Sequence, residues 1–265
     1  MRSALPLADD ETTHAWLAVA GFMTAVVVVL TPGALYDARL LSGADVWAKP
    51  LKFALSLALH FVTLAVLAQL LRPEARTDRS MSRLVRVSVA AALFEIAYIA
   101  FQALRGRPSH FNFDTPFETG MYALMGIGAT LLVVIPFLLG LRIHRQRDGD
   151  RSAYRLGAVI GLLLAPILTL VVAGYMSGVA YDRWVGDGMG ASIPVLGWSR
   201  VAGDFRPAHF VGLHGMQVLP LAGWIADRIA PAQARRIVWG AALLTVVATI
   251  ALFAQALAGR PLWPL

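Results

Sequence analysis

Seven apolar stretches, each roughly as long as the twenty residues a helix needs to cross bilayer hydrocarbon, decide what this chain can fold into. They lie near residues 15–36, 53–71, 87–104, 119–141, 156–180, 208–226 and 237–259 of 265. With 58% hydrophobic and 15% charged residues, a water-soluble fold would lack the polar surface to cover itself. The reading is therefore all-α: residues 1–265 as a single polytopic membrane bundle of seven transmembrane helices. Asp9, Asp10 and Glu11, rather than basic residues, precede the first stretch, and it exceeds the about 7–15 residues of a signal-peptide core, so it reads as a retained helix. The absence of cysteine excludes disulfides, thiolate metal sites and thiol nucleophiles.

The formal charge of +7 would suggest nucleic acid in a soluble protein. Here the loops at 72–86, 142–155 and 227–236 hold, with Arg2, fourteen of the twenty-three basic residues, Arg147 among them. These loops alternate with others whose charges nearly balance, which by the positive-inside rule puts the N-terminus in the cytoplasm and the C-terminus in the periplasm. The basic loops lack interleaved aromatic residues, so they offer no stacking surface for bases and no nucleic-acid partner is expected.

Aromatic, proline and polar residues gather instead in the outer loops, 36–53, 104–118 and 181–210. Part of that is architecture: Thr115-Pro116-Phe117-Glu118 has capping-box spacing with proline at the first helical position. Gly157 and Gly161 have the spacing of a small-residue packing motif. The pattern that points to chemistry is polar residues at helical spacing inside three spans. Lys52, Ser56 and His60 follow at steps of four; Glu95, Tyr98, Gln102 and Arg105 share a second face; Arg206, Phe210, His214 and Gln217 share a third. His209 sits about 140° from His214 around an ideal helix and need not share its target.

Counted from the charges at the outer interface, His60 and His214 lie about 12 Å deep and Glu95 about 15 Å. A carboxylate at that depth costs on the order of 3 kcal/mol, so Glu95 should be protonated, paired, hydrated or bound to a cofactor. The plainer alternative is that such residues only hydrogen-bond between helices, worth about 0.6 kcal/mol each.

The segments 47–53, 105–112 and 203–214, written WxKPxKF, RGxxSHFN and GDxRxAHFxGLH, resemble an uncharacterised family of bacterial multi-pass membrane proteins. That resemblance implies a bacterial inner-membrane location and little chemistry. Ser56-xxx-His60 also resembles the spacing in seven-helix zinc hydrolases of the alkaline ceramidase type, although the last span here lacks the histidine pair those proteins carry.

The leading expectation is redox chemistry at a polar cavity opening to the periplasm. His60 and His214 would be ligands to a haem b, with Lys49, Lys52, Arg105 and Arg206 facing its propionates and Ser56, Gln102 and Gln217 orienting the ligands. The alternative ligand set is one divalent metal on His60, His214 and Glu95. Glu95, His110 and His209 are the candidate catalytic groups. The same cations could receive a quinone, a lipid or a periplasmic small molecule. A metal-dependent hydrolase on a lipid-like substrate, a proton- or ion-coupled transporter, and a subunit or oligomer within a larger membrane complex are the other readings. Reporter fusions at Arg79 and Arg235 should report the cytoplasm and fusions at Ser109 and Gly188 the outside; a cytoplasmic signal at Gly188 would reverse the orientation.

Overall fold

The computed structural model describes residues 7–41, 43–146 and 149–264; Arg2 and Arg147 lie outside them. A long helix occupies each of the seven apolar stretches: α1 (Glu11–Tyr36), α2 (Ala48–Ala68), α4 (Arg79–Leu104), α5 (Pro116–Arg145), α6 (Ala153–Tyr175), α7 (Arg206–Ile229) and α8 (Ala234–Leu257), with a short α3 at Pro73–Arg76. Six are long and apolar enough to cross a membrane. The seventh, α7, has the length but not the apolar content, because Arg206, His209, His214, Gln217, Asp227 and Arg228 all fall within it.

Most helices outrun their apolar stretches, because hydrogen bonding continues past the hydrophobic run until a cap ends it. Thus α4 starts at Arg79, where Asp78 accepts the backbone N–H of Met81 at 2.7 Å, and α2 starts at Ala48 with Pro50 in its first turn, where a missing N–H is tolerated. Lys49 and Lys52 are therefore helical. From Ala48, His60 lies about 18 Å along the axis rather than 12 Å.

The chain divides into two compact units, Met1–Ile135 and Pro136–Leu265. In the first, α1 packs on α2 and both pack on α4. Asp10 caps α1 through Thr13 N–H at 2.9 Å and pairs with Arg76 at 2.8 Å, while the Thr12 hydroxyl donates to the Arg76 carbonyl at 2.7 Å. The Trp16 indole N–H donates to Ser88 at 3.0 Å, joining α1 to α4 inside the core.

In the second unit α6 packs on α7, and α8 packs on both. Small residues set the spacing. A Cβ on Gly157 would strike the Leu219 carbonyl, one on Gly161 would come within 2.8 Å of the Gly215 carbonyl, and one on Gly223 would strike the Ala153 carbonyl. Backbone meets backbone at these points, the means by which membrane helices gain packing without a hydrophobic drive. The helix ends are closed by side chains: Asp227 accepts the N–H groups of Ala153 and Tyr154 at 2.9 and 2.8 Å, and Arg155 donates to the carbonyls of Ile143 and Gln146 at 2.6 and 2.9 Å.

Because those glycines meet rigid backbone, Gly157→Ala and Gly223→Ala should each destabilise the protein by about 1–3 kcal/mol. Gly21→Ala, whose Cβ meets nothing within 4 Å, should not. Thermal midpoints in detergent read the difference, and equal midpoints for all three would show that the α6–α7 contact is looser than described.

Candidate functional site

The α4 stripe becomes a chain of contacts in the first unit. Glu118, 2% exposed at the start of α5, receives Arg105 at 3.3 Å and Arg107 at 3.0 Å. Arg105 also donates to the Gln102 side-chain carbonyl at 3.0 Å, and the Gln102 amide donates to the Tyr98 hydroxyl at 2.8 Å. Thr115 exchanges hydrogen bonds with Glu118, its hydroxyl donating to the carboxylate and accepting the Glu118 N–H at 3.3 Å. Thr115 thus caps α5, and Glu118 is the ion-pair centre beside it.

One turn beyond Tyr98 the chain stops. Glu95 is fully buried, and neither carboxylate oxygen has a hydrogen-bond partner. A Cβ on Gly128 of α5 would come within 2.6 Å of its Oε1, so the absence of a side chain there gives the carboxyl its room. Lys49 and the backbone N–H of Ala129, next to Gly128, are the groups that act on it electrostatically. On α2, the His60 Nε2 is likewise buried without a partner, and the ring meets Phe61 edge-on at 5.3 Å. No hydrogen bond joins His60 to Glu95 among the described residues.

The loops at the Trp47 end of this unit are built around Asp37, which follows α1. Arg39 grips it through Nε at 2.9 Å and a terminal nitrogen at 2.6 Å, and the Trp47 indole donates at 2.8 Å. Trp47, from the WxKPxKF segment, also lies against Gly33, pinning the start of α2 to the end of α1. In the RGxxSHFN segment, Asn112 donates to the Pro108 carbonyl at 2.9 Å, and Phe111 takes the left-handed backbone, φ +52°. His110 packs near Phe53 and Tyr122, with ring centres 6.3 and 6.0 Å away, and its Nδ1 stands 3.3 Å from the Ser109 hydroxyl.

In the second unit, Asp204 and Arg206 form a two-pronged ion pair with contacts of 2.6 and 2.9 Å; Asp204 also accepts the Ser199 N–H, and Arg206 donates to the Gly197 carbonyl at 2.7 Å. Trp184 lies under the guanidinium of Arg183 at 4.1 Å, with that of Arg206 5.7 Å from its centre. Burial, with the like charge of Arg206 added, holds Arg183 below its ordinary basicity. On α7, the His214 Nδ1 stands 3.2 Å from the Gln217 side-chain oxygen, and its ring stacks 4.2 Å from Phe210. The His209 Nδ1 is buried without a hydrogen bond.

Of the residues singled out in the sequence, Gln102 and Arg105 come together, and so do His214 and Gln217. Lys52 is exposed in the first turn of α2, and Ser56 stands one turn from His60. Arg105 and Arg206, expected to face an anionic ligand, are already paired with Glu118 and Asp204. His60, Glu95 and His110 belong to the first unit and His209 and His214 to the second. Within neither unit does a group of three or more His, Cys, Asp or Glu stand ready to hold a metal ion among the described residues. Gly128 and Asp37 carry no motif, and Lys49, part of the WxKPxKF segment, reads as an outer-interface cation; only the packed structure brings it to bear on Glu95. No family model, curated protein or solved structure matches the chain.

Arg39 and then Trp47 hold the Asp37 carboxyl far below 3.8, its ordinary value. At Asp10 burial pulls upward, but Thr13 and Arg76 outweigh it and the net shift is also downward. Near that pH the folded chain binds fewer protons than the unfolded one, so these groups stabilise the fold above about pH 4 and lose that effect as pH falls further. The thermal midpoint in detergent should drop on acidification through this range, and Asp37→Asn should drop less steeply. An acid profile unchanged by Asp37→Asn would assign the sensitivity elsewhere.

Proposed function

We propose that this is a bacterial inner-membrane protein of seven spans, N-terminus cytoplasmic and C-terminus periplasmic, that moves protons or small cations through the bundle by way of Glu95. α7 is the seventh span in this reading, its polar stripe facing protein rather than lipid. The supporting observation is a carboxyl fully buried in an apolar helix with both oxygens unpartnered. A group so placed is tolerated as a neutral acid or beside a cation, and intramembrane carboxyls of this kind mark proton and ion paths. The chain from Glu118 through Arg105 and Gln102 to Tyr98 holds the neighbouring turns of α4 in place and gives Glu95 a polar approach from the outer side.

A second reading, ligation of a haem or a divalent metal by imidazole within one unit, rests on the bare, buried Nε2 of His60 in the first and, separately, on His214 in the second, whose Nδ1 is engaged by Gln217. A ligating histidine has its other nitrogen held in this way. The group would supply electron transfer or Lewis acidity, while the chain's own part is to fix the ring.

Both readings meet one experiment on purified protein in vesicles loaded with a pH-sensitive dye. After a pH jump the parent should equilibrate protons, and Glu95→Gln should slow this about a hundredfold, the contribution of a positioned proton-transfer group. Equal rates in parent and variant would overturn the proton reading. An absorption band of haem, or bound metal by elemental analysis, lost on His60→Ala but not on Glu95→Gln, would establish the second in its place.

A further inference from the structure

α1 and α4 leave between them a groove of about 530 Å3, lined only by apolar residues, including Phe22, Val29, Leu30, Leu93, Ala97 and Ala100. Phe22, Val29 and Leu93 are 49%, 72% and 40% exposed, so the groove opens sideways toward the surroundings of α1. At one end its two walls are tied together by a single side chain. Arg39 binds Asp37, the residue that closes α1, and donates to the carbonyl of Leu104, the last residue of α4, at 2.9 Å.

A guanidinium has five N–H donors; those bonds leave one hydrogen on each terminal nitrogen of Arg39, whose side chain is 48% exposed. Arg105 and Arg107, 35% and 43% exposed, stand at the same end of α4. The carboxylates here, Asp37, Glu118 and the nearby Asp45, whose side chain takes the Trp47 N–H at 2.6 Å, are already engaged, and with Lys49 and Lys52 at the start of α2 the basic groups outnumber the acids. From the groove's limits at Leu30 and Ala100 to the ends of the helices at Tyr36 and Leu104 is about 9 and 6 Å along the axes. That offset places a positive rim just beyond one end of an apolar trough.

We propose that this groove is a binding site for an anionic phospholipid, one acyl chain lying between α1 and α4 and the headgroup phosphate meeting Arg39 at the rim. The chemistry is a fixed apolar trough joined to a cation with spare donors, which a zwitterionic lipid satisfies less well because its own ammonium meets the same positive rim. A second copy of the chain is a poorer occupant. A two-fold axis through the groove would bring the same arginine-bearing surface of each copy to the shared interface, and like charges would oppose each other there.

The test is native mass spectrometry of the detergent-purified protein titrated with dioleoyl phosphatidylglycerol or dioleoyl phosphatidylcholine. One phosphatidylglycerol adduct should saturate at a concentration about fivefold lower than phosphatidylcholine, the preference expected of one interfacial cation. Arg39→Gln should abolish that preference while leaving the adduct. Ala97→Phe on one wall, and separately Ala25→Phe on the other, should lose the adduct with either lipid, with thermal midpoints confirming that each variant is folded. Equal binding of the two lipids by the parent, or a preference that survives Arg39→Gln, would overturn the headgroup assignment. An adduct retained in both phenylalanine variants, or a dimer broken by them in place of lipid binding, would overturn the groove.

Discussion

In hydrocarbon every backbone N–H and C=O must find a partner within the protein. Helices meet that demand along their length but leave up to four groups open at each end, and much of the charge in this chain closes those ends. Asp10 and Asp78 cap the N-termini of α1 and α4, Asp227 reaches from α7 to the first turn of α6, Arg155 takes up carbonyls at the end of α5, and Arg39 takes one at the end of α4. The arginine-rich loops therefore have two tasks. By charge count they are what the proposed orientation rests on, and individual members serve as hydrogen-bond donors that a lysine, with its compact ammonium, would fit less well.

Once those structural charges are set aside, few polar groups inside the helices are left unexplained. Glu95, His60 and His209 each keep a buried atom without a partner, whereas Gln102, Tyr98 and Ser88 are satisfied. The difference matters energetically. A satisfied polar side chain between membrane helices is worth under 1 kcal/mol on average, while an ionised carboxylate at depth costs on the order of 3 kcal/mol. Packing glue explains the first class and does not explain Glu95, around which α5 makes room by having no side chain at Gly128.

The second unit shows the other half of the membrane's logic. Water cannot drive its helices together by excluding apolar surface, so contact depends on close approach, and glycine permits it at Gly157, Gly161, Gly215 and Gly223. Above that seam, Asp204 and Arg206 neutralise each other at the start of α7, with Trp184 packed against the guanidinium groups. The tryptophan and arginine residues of this end serve one another before they serve any ligand.

The apolar stretches, the helices they form and the Gly157-xxx-Gly161 contact were legible in the residues, since membrane thickness and helical period act on local sequence and hardly depend on which helix lies alongside. The i, i+3 and i, i+4 pairs, Gln102 with Arg105 and His214 with Gln217, were legible for the same reason. Helix ends were less so: α2 begins at Ala48, before its apolar run, because backbone hydrogen bonding, not hydrophobicity, sets where a helix starts. Which polar groups are spent on structure was not legible at all. Arg105 and Arg206 look like open cations in a list of residues and turn out to be held by Glu118 and Asp204. Asp37 and Gly128 have no signature of their own, and nothing in the WxKPxKF segment says that its Lys49 acts on Glu95. Partnership between side chains on different segments depends on distances that only packing sets, and in a medium of low dielectric those distances separate a structural ion pair from a buried group still waiting for its counterpart.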